Sequence, residues 1–164
     1  AFEETRKEVE TKINQLLALN GTKTVDDIHK QLGHIMWEYC GMARTAEGLT
    51  KAKGLIQDLK KDFWTNVKVL GENEELNMSL EIAGRVADFI KLGELMVDEA
   101  LNRTESCGGH FRLESQTEEG EAMRIDEEFT YVSAWEYKGD NQEEVLHKEE
   151  LIFENVKLTQ RSYK

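Results

Sequence analysis

The chain has 164 residues, 33 of them acidic and 21 basic, for a formal net charge of −12. That balance excludes nucleic acid as an expected partner, because binding phosphates needs a clustered basic surface, and it disfavours anionic lipid on the same ground. No apolar run approaches the roughly 20 residues that span a bilayer, so no direct membrane insertion is expected.

In chain order, Val9, Ile13, Leu16 and Leu17 share one stripe between about Glu3 and Leu19, which predicts a helix stopped by Asn20-Gly21. A second helix starts at Thr24, with Asp27 placed as the acid of a capping box. Its apolar face runs Val25, Ile28, Leu32, Ile35, Met36 and Tyr39, and Gly41 ends it. A third begins at Thr45, with Glu47 in its first turn complementing the helix dipole. It carries Leu49, Ala52, Leu55, Ile56, Leu59, Phe63, Val67 and Leu70 before Gly71. The fourth, capped around Asn73, is apolar on two faces. Leu76, Leu80, Ala83, Ala87 and Ile90 form one, and Ile82, Val86, Phe89, Met96 and Ala100 the other. A helix apolar on more than one side belongs in the middle of a bundle.

The period changes after Arg112. Glu114 to Glu121, with Gly120, reads as an acidic loop. Phe129, Tyr131, Ser133, Trp135 and Tyr137 then alternate with Thr130, Val132, Ala134 and Glu136, which is strand-like. Lys138-Gly139-Asp140-Asn141 predicts a turn and Val145 to Lys148 a returning strand. Leu151–Phe153 and Val156–Leu158 read as a further extended segment. The expected fold is mainly α: a three- to four-helix up-down bundle, spectrin-repeat-like, over 1–112, then a small β-rich tail over 113–164. That tail, an acidic loop and a β-hairpin, is expected to pack on the bundle as one structural unit.

Little in this chain carries chemistry. His29 and His34 are five apart and do not stack on one helix face, which excludes a zinc-protease motif; His34 reads as a partly buried helix histidine beside Trp37. Cys107 and His110 have C-x-x-H spacing, but no second ligand pair accompanies them, so neither a metal nor a catalytic cysteine is assigned. Cys40 and Cys107 have no framework spacing and read as free thiols in a reducing cytoplasm. No strand, glycine-rich turn and helix unit exists to bind a dinucleotide. Catalytic, cofactor-binding and metal residues are therefore all assigned as none.

The most informative segment is Glu105-Ser106-Cys107-Gly108-Gly109-His110-Phe111-Arg112, where paired glycines close a helix and present His110 and Arg112 on irregular backbone. It resembles the E-S-R-G-A-H-x-R segment near the end of succinate dehydrogenase and fumarate reductase flavoprotein subunits. A second block, Leu32 to Arg44, contains Met36-Trp37-Glu38 and Gly41-Met42-Ala43-Arg44. It is similar to the M-W-(D/E)-x-x-G-x-x-R stretch that opens the same C-terminal region. The blocks stand in the family's order, and Gln160-Arg161-Ser162-Tyr163 resembles the family's basic-aromatic tail. Asp126-Glu127-Glu128-Phe129 occupies the place of the family's D-x-N-F/W segment, with Glu128 where asparagine is common. Cys107 stands where the family commonly has arginine, which removes a planar five-donor cation.

The resemblance implies a C-terminal domain excised from a longer flavoprotein, and the opening at Ala1 directly into helix-forming sequence reads the same way. The parent would use FAD to interconvert succinate and fumarate, in a complex peripheral to the cytoplasmic side of the inner membrane. This piece would be inactive alone and hold no cofactor. It would buttress its own N-terminal flavin-binding domain and part of the interface with an iron–sulfur subunit. Arg44, His110 and Arg112 are the candidate interdomain contacts. For His110 and Arg112 the plainer alternative is that they satisfy backbone carbonyls at a helix end. Two other functions remain open: the same domain of an L-aspartate oxidase, and a free-standing helical interaction module.

Overall fold

A computed structural model describes residues 1–72, 76–139 and 142–159. The cap expected at Asn73, half of the turn at Asp140-Asn141 and the tail from Gln160 lie outside the described residues. The chain divides into two compact units, Ala1–Asn102 and Arg103–Lys164. The division falls ahead of the boundary expected after Arg112, because residues 103 to 112 bond to residues later in the chain.

The first unit contains α1 (Phe2–Leu17), α2 (Val25–Cys40), α3 (Ala46–Asn66) and α4 (Met78–Asn102). The last three pack pairwise, and α1 meets only α4 among the helices. The α3 stripe Leu49, Ala52, Ile56, Leu59 and Phe63 is buried, spaced alternately three and four residues apart as an apolar helix seam requires. Thr24 and Asp27 form the full capping box of α2, and the Thr45 hydroxyl accepts from the Gly48 amide to cap α3.

Five expectations are corrected here. The third helix stops at Asn66 instead of running to Leu70. Gly21 N–H donates to the Val67 carbonyl, Lys23 N–H to that of Asn66 and Lys68 N–H to that of Lys23. These bonds draw residues 67–70 into extended chain, so Val67 and Val69 are buried while Leu70 is exposed. On α1 only Leu16 is buried; Val9 is exposed, because among the described residues nothing in the bundle covers the earlier turns. The fourth helix buries one composite face, Ala83, Val86, Ile90, Gly93, Val97 and Ala100, whereas Ile82, Phe89 and Met96 are exposed. Its N-cap is Asn77, whose Oδ1 accepts from the Leu80 amide, and Leu76 precedes the helix in solvent. Lastly, His34 is exposed, as is Trp37. Gly93 is where three helices close: a Cβ there would meet side-chain atoms of Leu32, Met36 and Ile56.

In the second unit a short helix, α5 (Asp126–Phe129), precedes an antiparallel pair, β1 (Tyr131–Glu136) and β2 (Val145–Glu150). Tyr131 faces Glu150 and Glu136 faces Val145 across the ladder. Phe129 thus belongs to a helical turn and not to the strand. Residues 151–159 form no strand and are exposed. The mainly α bundle with a small β tail is the architecture expected from the sequence.

Candidate functional site

The segment after α4 is built around a reciprocal pair of bonds. Cys107 N–H donates to the His110 carbonyl at 2.8 Å, and His110 N–H returns to that of Cys107 at 3.0 Å. Two central residues closing such a pair make a tight hairpin turn, and Gly108, at φ +58, supplies the left-handed position that a side chain rarely adopts. Added Cβ atoms at Gly108 and Gly109 would meet nothing within 4 Å. Gly108 therefore serves backbone conformation within this chain, and both glycines leave the outer side of the turn open.

Beneath the turn lies a buried polar network. Glu105 accepts from Arg103 Nη1 at 2.9 Å and from the Ile125 amide at 2.9 Å. Ser106 Oγ accepts from the Arg112 amide at 2.8 Å and donates to the Arg112 carbonyl at 3.1 Å. Arg103 donates further to the Phe129 and Tyr131 carbonyls, and its guanidinium stacks over both rings, 5.4 and 4.8 Å from their centroids. Planar delocalised charge suits it to stack and donate in its own plane at once.

The structure brings two of the candidates together on one acceptor. His110 Nε2 lies 2.7 Å from the Arg103 carbonyl; a carbonyl only accepts, so Nε2 carries the proton. Arg112 Nη1 reaches the same oxygen at 3.5 Å and its Nε donates to Glu114 at 3.2 Å. Arg112 is only 4% exposed. Arg44 belongs to the first unit, between α2 and α3, where Nε donates to the Gly41 carbonyl at 3.0 Å. Burial pushes the thiol of nearby Cys40 up, against the pull of the Arg44 charge. Arg103, Glu105 and Ser106 hold the loop yet escape a reading that weighs only its glycines, His110 and Arg112. The signal available was the charged pair two residues apart just before the turn.

The family model described as the fumarate reductase flavoprotein C-term matches residues 29–163. The chain belongs to this family. It is 30% identical over 114 residues to the fumarate reductase flavoprotein subunit of Serratia sp. (strain ATCC 39006), covering 70% of this chain and 19% of that protein. The Escherichia coli K12 subunit is 28% identical over the same extent. L-aspartate oxidase 2-a of Nicotiana tabacum is 33% identical over 88 residues, 54% of this chain and 13% of its own. The fold of a solved E. coli quinol fumarate reductase superposes with a TM-score of 0.82 at 22% identity, covering 96% of this chain and 26% of that one. The Mycobacterium smegmatis Sdh1 complex gives 0.69 at 21% identity, covering 92% and 24%. This C-terminal domain thus spans about a fifth of the length of the Serratia and Escherichia coli K12 fumarate reductase subunits.

Proposed function

We propose that the full-length subunit oxidises succinate to fumarate, or runs the reverse reaction, with a hydride passing to or from FAD. The observation that carries this reading is the family match over 29–163, joined to fumarate reductase relatives that cover 70% of the chain where the aspartate oxidase covers 54%. FAD belongs in the upstream part. The Gly108-Gly109 turn folds back on itself without leading into a helix, unlike the strand–turn–helix units that cradle dinucleotide phosphates, which supports this placement. The domain itself supports the flavin domain and part of the interface with an iron–sulfur subunit, in a complex peripheral to the cytoplasmic face of the membrane. Among the described residues no helix is long and apolar enough to cross one.

Within this reading Arg44, His110 and the exposed turn Cys107–Gly109 meet the flavin domain. Arg112, being buried, acts by holding the turn in shape. The test is substrate choice by the full-length subunit. Succinate-dependent dye reduction and fumarate-dependent reoxidation are expected. Oxidation of L-aspartate without activity on succinate would transfer the chain to the aspartate oxidase reading.

A further inference from the structure

The β1–β2 pair has two edges, and they differ. Leu151 N–H donates to the Thr130 carbonyl, which makes 130 and 151 a hydrogen-bonded pair. By the alternation of an antiparallel ladder, the pairs 132 with 149, 134 with 147 and 136 with 145 then also face inward. The backbone groups of Tyr131, Ser133 and Trp135 point out on the β1 side, and those of Leu146, Lys148 and Glu150 point out on the β2 side. On the β1 edge, Arg103 caps the Phe129 and Tyr131 carbonyls. On the β2 edge, no partner lies on the outward backbone groups of Leu146, Lys148 and Glu150 among the described residues.

We propose that the β2 edge receives a third strand: an extended, Lys/Arg-bearing segment from the upstream part of the same polypeptide. This rests on the reading that the chain is part of a longer flavoprotein subunit, and it names a partner for a surface that reading leaves open. Two-stranded sheets are marginal in water and gain stability from a third strand. Charge selects the occupant. Glu143, Glu144, Glu149 and Glu150 flank the edge, while Lys148, the one lysine among them, turns its Nζ over the Tyr131 ring, 4.3 Å from the centroid. A second copy of this chain, at net charge −12, would bring like charges edge to edge, and charged edge residues block such pairing. A basic strand is attracted by the same carboxylates. Covalent linkage supplies the high effective concentration that a short, polar strand needs to stay docked, and the matched relatives hold this domain as 19% of their length.

Amide hydrogen exchange on the full-length subunit tests this without using flavin or substrate, so a subunit inactive on succinate still gives an answer. The amides of Leu146, Lys148 and Glu150 are expected to exchange about tenfold or more slowly than that of exposed Glu143. The double substitution Glu149→Lys with Glu150→Lys should abolish that protection by repelling a basic strand, and Lys148→Pro should do so by removing an outward donor at an edge position that tolerates proline. Exchange of the three amides as fast as Glu143, or protection indifferent to the charge reversal, would overturn the proposal. So would protection that grows with protein concentration, the mark of a second copy, or protection that arises only when another subunit is added.

Discussion

The Glu105 carboxylate lies 2.9 Å from the Arg103 guanidinium, and the two side chains are 4% and 17% exposed. This largely buried pair ties residues 103–105 to α5 and β1 within the second unit, because Glu105 also accepts from the Ile125 amide while Arg103 donates to the carbonyls of 129 and 131. Removing one member of a buried pair leaves the other charge uncompensated, which costs about 3–5 kcal/mol. Glu105→Ala should therefore lower stability by about that amount, read as a drop in denaturation midpoint at unchanged slope. A loss below about 1 kcal/mol would show the pair to be solvated.

Gly21 is required for a different reason. A Cβ there would overlap the carbonyl of Asn66, a backbone atom that cannot move without breaking the bonds of Gly21 to Val67 and Lys23 to Asn66. Forced overpacking costs about 1–3 kcal/mol, so Gly21→Ala should destabilise within that range or beyond it. Gly54→Ala is the control, since a Cβ at Gly54 meets nothing within 4 Å and alanine favours helix. Equal thermal midpoints for the two variants would contradict the close approach.

Two phenylalanines separate the covered from the uncovered surface. Phe63 is fully buried and packs edge-on to Trp64 at 5.1 Å between centroids, while Phe89 is 42% exposed beside His29. Phe63→Ala should cost about 3–5 kcal/mol in this chain, and Phe89→Ala well under half of that. Comparable losses in urea titrations of the two variants would place Phe89 in the core after all.

Acid should weaken the fold through Asp62. Its carboxylate lies 2.5 Å from Lys23 Nζ, and hydrogen bonds from Lys23 and then Asn66 hold it below the ordinary value of 3.8. A carboxyl depressed by folding adds stability that is present above its unfolded value and is lost as pH falls through the folded one. The loss attributable to Asp62 should therefore begin as pH drops below about 4. Asp62→Asn should flatten that part of the stability–pH curve, with under about 1 kcal/mol lost at neutral pH. A curve of unchanged steepness would remove Asp62 from the linkage.

Most of the fold is written in local pattern. The Thr24–Asp27 box and the α3 positions Leu49, Ala52, Ile56, Leu59 and Phe63 are complete within one segment, so they read correctly, whereas Leu55 from the same expected stripe is exposed. The misreadings arise where distant chain decides. Val67 and Leu70 continue the helical period, yet the bonds from Gly21 and Lys23 pull them into extended backbone. Phe89 and Met96 are as apolar as Ile90 and Val97, and only the positions of α2 and α3 determine which side is covered. At the candidate site the glycines announced the turn. The Glu105 bond to the Ile125 amide spans twenty residues, and no spacing rule anticipates it.

We propose that this domain supports a succinate/fumarate flavoprotein subunit without itself holding the flavin. Flavin absorbance and succinate-dependent dye reduction, measured side by side on the 164-residue chain and on the full-length subunit, test it most directly. The full-length subunit should be yellow and active, and the chain alone colourless and inactive after incubation with FAD. Stoichiometric flavin on the isolated chain, or dye reduction by it, would contradict the account.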